Sequence, residues 1–286
     1  MTWIAWSALA VGASTIALLG LAAYGASRWA DSTQVLLKQL EATHLPATAS
    51  QYDARELEGL PAPVQRYFRA VLTDRQRIVT ATTVEHTGTF NLSQTGEQWK
   101  PFTSLQRVVT RRPGFVWNGR IALMPGIAVH VHDAYIAGLG ILKPSVLGLY
   151  PLADMHGEGE IARGELMRYF AEAAWYPTAL LPSQGVHWDA VDDHSSKATL
   201  ADGALRVTME VKFEDTGLIE SVRFEKRGAM VGNAIVQAPW EGRWSNYQES
   251  QGMRVPMTGE AAWLLPQGRK PYWRGTIASL TYEFGP

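Results

Sequence analysis

The clearest pattern along this chain is a strict alternation of apolar and polar side chains near residue 210. Leu205, Val207, Met209, Val211 and Phe213 alternate there with Arg206, Thr208, Glu210 and Lys212. Successive side chains of a β-strand point to opposite faces, so this segment is predicted as a strand with one buried and one wet face. The preceding Asp202-Gly203 predicts a tight hairpin turn, because these residue types tolerate the backbone angles that such turns need.

The same period of two recurs from residue 79 to the C-terminus, with turn residues between the runs. Antiparallel sheets produce this period, since one face packs on a core while the other meets solvent. The pattern predicts about eleven antiparallel strands. They are placed at 79–92, 102–110, 115–123, 127–135, 186–192, 196–201, 204–213, 218–226, 235–248, 253–264 and 271–284.

In two segments the apolar residues recur at the three- and four-residue spacing of a helix instead of every second residue. One starts near Leu60, and the other, at 157–176, carries apolar residues on one side and ends before Pro177. A large sheet must twist and curl, and a helix with an apolar stripe can fill its concave face. We therefore predict a mainly β (α+β) domain at 60–286, in which one curved antiparallel sheet forms a half-barrel around the inserted helix.

The N-terminus is the most apolar part of the chain, with no charged side chain before Arg28. The run from Trp3 to Tyr24 would extend about 32 Å as a helix, which matches a bilayer core. We expect a single-pass transmembrane anchor at 1–29, a short helix and linker at 30–59, and the lipid bilayer as a partner. A cleaved signal peptide is the alternative, but no basic segment precedes the apolar run. The domain is expected outside the cytoplasm, although Arg28 alone would favour the opposite side and leaves the sidedness open.

Composition excludes several function classes. Lys and Arg number 26 against 27 Asp and Glu, so no basic field exists to attract nucleic acid. The absence of cysteine excludes disulfides, thiolate zinc sites and cysteine nucleophiles. The sequence also has no phosphate-binding loop, serine-hydrolase elbow or complete dinucleotide motif. We expect no cofactor, and an enzyme is the less favoured class.

The candidate site starts from the predicted strand 127–135, where Asp133 and Tyr135 share a face with apolar residues. A carboxylate there is either an ion-pair partner or a cavity acid whose pKa is shifted by burial and neighbouring charge. Arg168 is the expected partner. On the inserted helix, Glu165, Arg168 and Glu172 lie along one stripe, which is either a solvated ion-pair ladder or part of a polar cluster with Asp133 and Tyr135.

Other candidates are aromatic side chains and a histidine pair. Trp117, Trp240, Trp244 and Trp263 lie in predicted strands, where they either fill the core or line an aromatic pocket for a ligand. His130 and His132 lie side by side on the face opposite Asp133. Two imidazoles do not complete a metal site, so we expect partly exposed surface histidines and no metal.

Several segments together resemble an uncharacterised bacterial family of unknown function. They are LPAPVQRY at 60–67, FVW at 115–117, DAY at 133–135, GELMRY at 164–169 and WYPTALLP at 175–182. The resemblance runs from about residue 60 to the C-terminus and implies no established activity. The predicted layout is also similar in architecture to the half-barrel of lipoprotein-sorting carriers (LolA-like), which bind acyl chains in an apolar cavity.

The sequence thus favours a membrane-tethered binding protein for a hydrophobic ligand, a lipid or an acyl chain, in the cell envelope. Two other classes stay open. A hydrolase-like enzyme on a membrane-derived substrate would need Asp133, Glu165 and Arg168 in one cleft. An envelope scaffold or interaction protein would need an exposed apolar patch and no enclosed pocket.

Overall fold

The computed structural model describes residues 3–46, 50–93, 96–231 and 234–285. Within them the α-helices are Trp3–Ala42 (α1), Ala62–Val71 (α2) and Glu160–Ala171 (α3), and short 3₁₀ turns lie at Ala54–Leu57, Glu172–Trp175, Pro177–Leu180 and Pro182–Gln184. The strands are Val79–Asn91 (β1), Trp99–Val109 (β2), Gly114–Met124 (β3), Ile127–Ile136 (β4), Leu139–Val146 (β5), Tyr150–Pro151 (β6), Met155–Gly157 (β7), His187–Ala190 (β8), Ser195–Asp202 (β9), Leu205–Phe213 (β10), Ile219–Val231 (β11), Ala234–Ser250 (β12), Met253–Leu265 (β13) and Gly268–Phe284 (β14).

The strands form one antiparallel sheet of 14 strands in the order β6-β5-β4-β3-β2-β1-β14-β13-β12-β11-β10-β9-β8, with β7 paired to β5. Each predicted strand is present, but the predicted number of about eleven was too low because β5, β6 and β7 were missed. β6 and β7 are only two and three residues long. β5 contacts α3, and its Ile141 also packs on the apolar cluster around Leu40 of α1. A strand covered on both faces loses the alternation that identifies it in a sequence.

Helix α3 contacts β3, β4, β5 and β7 from one half of the sheet and β10 and β11 from the other. These strands lie far apart in the sheet order, so the sheet must curl for both halves to reach one helix. The predicted half-barrel around an inserted helix is therefore confirmed. The helix itself is shorter than predicted, since its last turn continues into the 3₁₀ segment Glu172–Trp175.

One end of the half-barrel is sealed by α2. Tyr67 and Phe68 of this helix pack against Phe213 and Trp188, with ring centroids 5.8 and 6.3 Å apart. We call this the closed end. At the opposite end lie the hairpins β1–β2, β3–β4, β11–β12 and β13–β14, and we call it the hairpin end.

The C-terminal half of α1 lies on the convex face of β2, β3 and β4. Trp29 stacks on His132 with ring centroids 3.8 Å apart and donates from Nε1 to Asn118 Oδ1 at 2.9 Å. Thr33 Oγ1 lies 2.7 Å from His132 Nε2. His132 is therefore only 2% exposed, and the prediction of a surface position was wrong for it, because α1 covers this face.

The N-terminal half of α1 extends past the hairpin end, since Gly25 is already at the β5–β6 turn, where an added Cβ would overlap Leu147 and Leu149. α1 is continuous through residue 29, where we predicted a boundary between an anchor and a separate short helix. Large apolar side chains are exposed along it, namely Trp3, Trp6, Leu9, Ile16, Leu19, Leu21 and Tyr24. No helix in the described part of the chain has the length and apolarity needed to cross a membrane. The structure thus does not support the anchor predicted at 1–29.

Candidate functional site

A cavity of about 670 Å³ lies between α3 and the concave face of the sheet. Sites for small molecules usually have volumes of about 300–1,000 Å³. Its wall is largely aromatic, with indoles from Trp117, Trp175, Trp240, Trp244, Trp263 and Trp273. At the hairpin end the lining includes Leu92 and Ile235, which are 38% and 44% exposed. The cavity therefore reaches solvent between the hairpins.

Several indoles lie flat against the sheet over a glycine. A Cβ added to Gly119 would overlap the ring of Trp117, and one added to Gly275 would overlap the ring of Trp273. Side chains two residues apart share a face of a strand, so glycine at the second position leaves room for the ring to lie along the sheet. The sequence Trp-x-Gly, at 117–119, 240–242 and 273–275, is a signal by which this wall could have been found.

Arg168 of α3 holds two carboxylates at the inner side of the cavity. Its Nη1 donates to Asp133 Oδ2, and its Nε donates to Glu172 Oε1 at 2.8 Å. Gln106 Nε2 donates to the other oxygen of Glu172 at 2.6 Å. The guanidinium carbon also lies 5.1 Å from the ring centroid of Trp117, a favourable position for a cation. The predicted partnership of Asp133 and Arg168 is confirmed.

Glu165 lies one turn before Arg168 and is 6% exposed. Burial raises the pKa of its carboxyl well above the ordinary 4.5, and the charge of Asp133 and a hydrogen bond with it act in the same direction. Glu165 Oε2 and Asp133 Oδ1 meet no donor among the described residues. A proton on Glu165 supplies one, because the protonated acid can donate to the Asp133 carboxylate. The raised pKa thus favours a protonated Glu165 beside Asp133, and the stripe on α3 is a buried cluster rather than a solvated ladder.

Arg227 of β11 is a cavity residue that sequence reasoning missed. It is 8% exposed, its guanidinium carbon lies 4.8 Å from the ring centroid of Trp240, and its Nη1 has no hydrogen-bond partner within the described chain. The pairing of β11 with β12 shifts register between Phe224 and Arg227. Simple alternation from Phe224 would turn Lys226 inward, but the bulge turns Arg227 inward instead.

Residues 58–282 match the model of a family of unknown function, DUF6920. The chain belongs to this family. The matched range agrees with the resemblance noted from residue 60 onward. No curated protein matches the DUF6920 chain in sequence.

Two solved structures are similar to this DUF6920 chain. A LolA superfamily protein from Nitrosomonas europaea has 11% identity and a TM-score of 0.35, and the alignment covers 80% of this chain and 96% of that one. A beta-barrel-like protein of a domain of unknown function (DUF1849) from Brucella abortus has 9% identity and a TM-score of 0.23, with 72% and 99% covered. The description of the fold rests on the sheet order and not on these likenesses.

The remaining predicted site residues divide into two groups. The cavity is lined by Trp117, Trp240, Trp244 and Trp263, which is the aromatic pocket given as one of the two alternatives for these residues. Tyr135 is not a lining residue. Its hydroxyl donates to Asp202 Oδ2 at 2.7 Å, and Arg112 holds the other oxygen of Asp202. The predicted cluster of Tyr135 with Asp133 is therefore not formed, although both side chains point to one face of β4.

The described residues contain no group of three His, Asp or Glu side chains that could hold a metal ion. His132 is engaged by Thr33 and Trp29 instead. What the cavity offers chemically is an apolar wall with six indoles, a buried carboxyl of raised pKa at Glu165 beside Asp133, and two buried guanidinium groups.

Proposed function

We propose that this protein binds a hydrophobic ligand, a lipid or an acyl chain, inside the half-barrel. The observation that carries the proposal is the aromatic cavity of about 670 Å³ that reaches solvent at the hairpin end. Protein interiors are close-packed, and voids larger than a few water molecules are uncommon because their walls lose dispersion contacts. A cavity of this size, with an apolar wall, therefore favours a role in binding.

The position of the indoles supports the same proposal. Trp117 and Trp273 lie over glycines and line the cavity, which gives it flat apolar surfaces. Each methylene group of a bound chain that leaves water contributes about 0.8 kcal/mol before the cost of association is subtracted. A medium-length acyl chain would thus supply enough free energy for micromolar binding.

The cavity can be filled by mutation at Gly164 of α3. This glycine lines the cavity, and a Cβ added there meets no atom within 4 Å. Gly164→Trp is expected to occupy the space, whereas the control Gly164→Ala adds only one methyl group on the same helix. Glycine is a poor residue inside a helix, so both changes also favour α3 locally.

The test is a binding titration of the full-length chain with dodecanol, followed by tryptophan fluorescence, together with native mass spectrometry of the purified protein. We expect binding by the wild type and by Gly164→Ala, and at least tenfold weaker binding by Gly164→Trp. Absence of binding by the wild type, or equal binding by Gly164→Trp, would contradict the proposal.

A second candidate is a hydrolase-like activity on a membrane-derived substrate. The observation that favours it is the convergence of Asp133, Glu165 and Arg168 in one cavity, where burial raises the pKa of Glu165 so that this carboxyl can act in acid-base chemistry. Release of nitrophenol from p-nitrophenyl dodecanoate tests it. Turnover by the wild type that is lost in Asp133→Asn would support catalysis, and no turnover above that of Asp133→Asn would remove it. The third class, an envelope scaffold, was expected to have no enclosed pocket. The cavity therefore does not favour it.

A further inference from the structure

We infer that the ligand carries an anionic head group, a carboxylate or a phosphate, and that Arg227 binds it. The inference rests on the proposed function, since it names the chemical class of ligand that the same cavity takes. It starts from the difference between the two buried arginines that line the cavity, Arg168 and Arg227.

Arg168 has no capacity left for a ligand's charge. Its guanidinium donates to both Asp133 and Glu172, and its face lies against Phe115 and Trp117. Arg227 differs in each respect that matters for binding. Its Nη1 has no hydrogen-bond partner among the residues described, and its guanidinium lies over the indole of Trp240.

The carboxylates that line the cavity are engaged elsewhere. Glu160 accepts a hydrogen bond from Gln237, and Glu260 binds both Arg269 and Arg274. Burial raises the pKa of Glu165, and the charge of Arg227 acts on it only as a weaker, opposing effect. None of the described lining carboxylates accepts a hydrogen bond from Arg227 Nη1.

A β-bulge in β11 brings Arg227 to this position. The bulge between Phe224 and Arg227 turns Arg227 into the cavity and leaves Glu225 and Lys226 exposed. In a strand without the bulge the guanidinium would stay in solvent, where its charge carries no desolvation cost. Burying a charged group without a charged partner is unfavourable, so an anion that binds Nη1 would compensate a cost that the fold itself imposes.

Other hydrogen-bond donors in the cavity wall also favour an anionic head group. The indole nitrogens of Trp117, Trp175 and Trp244 have no acceptor within the described chain, whereas those of Trp29, Trp188 and Trp240 each have one. The polar atoms without partners in this wall are thus mainly donors. A head group rich in acceptor oxygens suits such a wall, and a guanidinium can bind two oxygens of a carboxylate or a phosphate at once.

The test compares ligands with the same chain and different head groups on the full-length protein at pH 7.5. The ligands are dodecanoate, dodecyl phosphate, dodecanol and dodecyltrimethylammonium. We expect at least one of the two anions to bind on the order of tenfold or more tightly than dodecanol, and the cation to bind most weakly. The ratio of the affinities for dodecanoate and dodecyl phosphate distinguishes a carboxylate site from a phosphate site.

The variants Arg227→Met and Arg227→Lys complete the experiment. Methionine keeps an apolar chain against Trp240 and removes the charge, so the affinity for the anions should fall to about the affinity of the same variant for dodecanol. Lysine keeps the charge and should retain part of the preference. Equal binding of dodecanol and both anions by the wild type, or an undiminished preference in Arg227→Met, would overturn the inference and leave the proposed function intact. If the wild type binds none of the ligands, the proposed function fails as well.

Discussion

The indole of Trp117 lies flat over Gly119, two residues further along β3. The ring is held there because glycine has no side chain to displace it, and it also supports the guanidinium of Arg168 from one side. One residue without a side chain therefore helps to define both the wall of the cavity and its buried ion pairs.

Gly119→Ala should displace this ring into the cavity. We expect the free energy of unfolding to fall by about 1–3 kcal/mol, as for other overpacked sites, and dodecanol to bind more weakly. Urea unfolding and a fluorescence titration measure the two effects. Gly96→Ala is the control, because a Cβ there makes only an ordinary contact with Ser93 at 3.6 Å. Equal stability and binding for the two variants would contradict the assigned role of Gly119.

Arg168→Met leaves Asp133 and Glu172 buried without their cation. Loss of one partner from a buried ion pair typically costs about 3–5 kcal/mol, and we expect a destabilisation in this range by urea unfolding at pH 7. Arg223→Met is the control, since Arg223 pairs with Glu225 where both side chains are largely exposed and such pairs contribute about 0–1 kcal/mol. A similar small loss in both variants would show that the pair of Asp133 and Arg168 is not buried in solution.

Glu165→Gln should change how stability depends on pH. Burial raises the pKa of Glu165 in the folded protein above its ordinary 4.5, so between the two pKa values the folded state binds more protons than the unfolded state. The stabilisation that protonated Glu165 gives the folded state is fully present below about pH 4.5. It is lost as the pH rises toward the pKa that Glu165 has in the folded protein, by at most about 1.4 kcal/mol per pH unit. Glutamine resembles the protonated acid and can donate to Asp133.

The measurement is urea unfolding of wild type and Glu165→Gln at pH 5 and pH 8. The variant should gain stability relative to the wild type as the pH rises. Glu97→Gln, at an exposed position, should leave the pH dependence unchanged. A constant difference in stability between wild type and Glu165→Gln across this range would contradict the raised pKa of Glu165.

His132 should make the attachment of α1 sensitive to acid. Burial lowers the pKa of His132 to about 4, from an ordinary 6.5, so the folded state keeps it neutral while the unfolded state takes up a proton. Stability is therefore lost as pH falls from about 6.5 toward 4. His132→Gln should flatten this part of the curve, and His187→Gln, on an exposed side chain, should not.

Hydrogen exchange locates this effect. The amides of α1 around Trp29 and Thr33 should exchange faster at pH 5 than at pH 7 after correction for the intrinsic rate, since a charged His132 disturbs the stack with Trp29. Exchange of these amides that does not change with pH would mean that His132 does not control the docking of α1.

The sequence predicted those features that depend on local periodicity. Alternation located eleven strands near their observed ends, and the three- and four-residue spacing located α2 and α3, because side-chain direction along a strand or helix is set by the backbone alone. The pairing of Asp133 with Arg168 was also predicted, because a carboxylate on an apolar face needs a cation and the inserted helix offered one.

Tertiary structure decided what local periodicity does not carry. β5 was hidden because it packs apolar residues on both faces, Leu142 on the main core and Ile141 on the cluster around Leu40. His132 is buried because α1 packs on the convex face. The bulge in β11 depends on its pairing with β12, so alternation alone does not predict that Arg227 faces the cavity. The apolar and polar pattern by itself determined that this chain forms a curved sheet around a helix. Only the packing of that sheet on α1 and α3 decided where a cavity remains and which charges face it, because both depend on contacts between residues far apart in the chain.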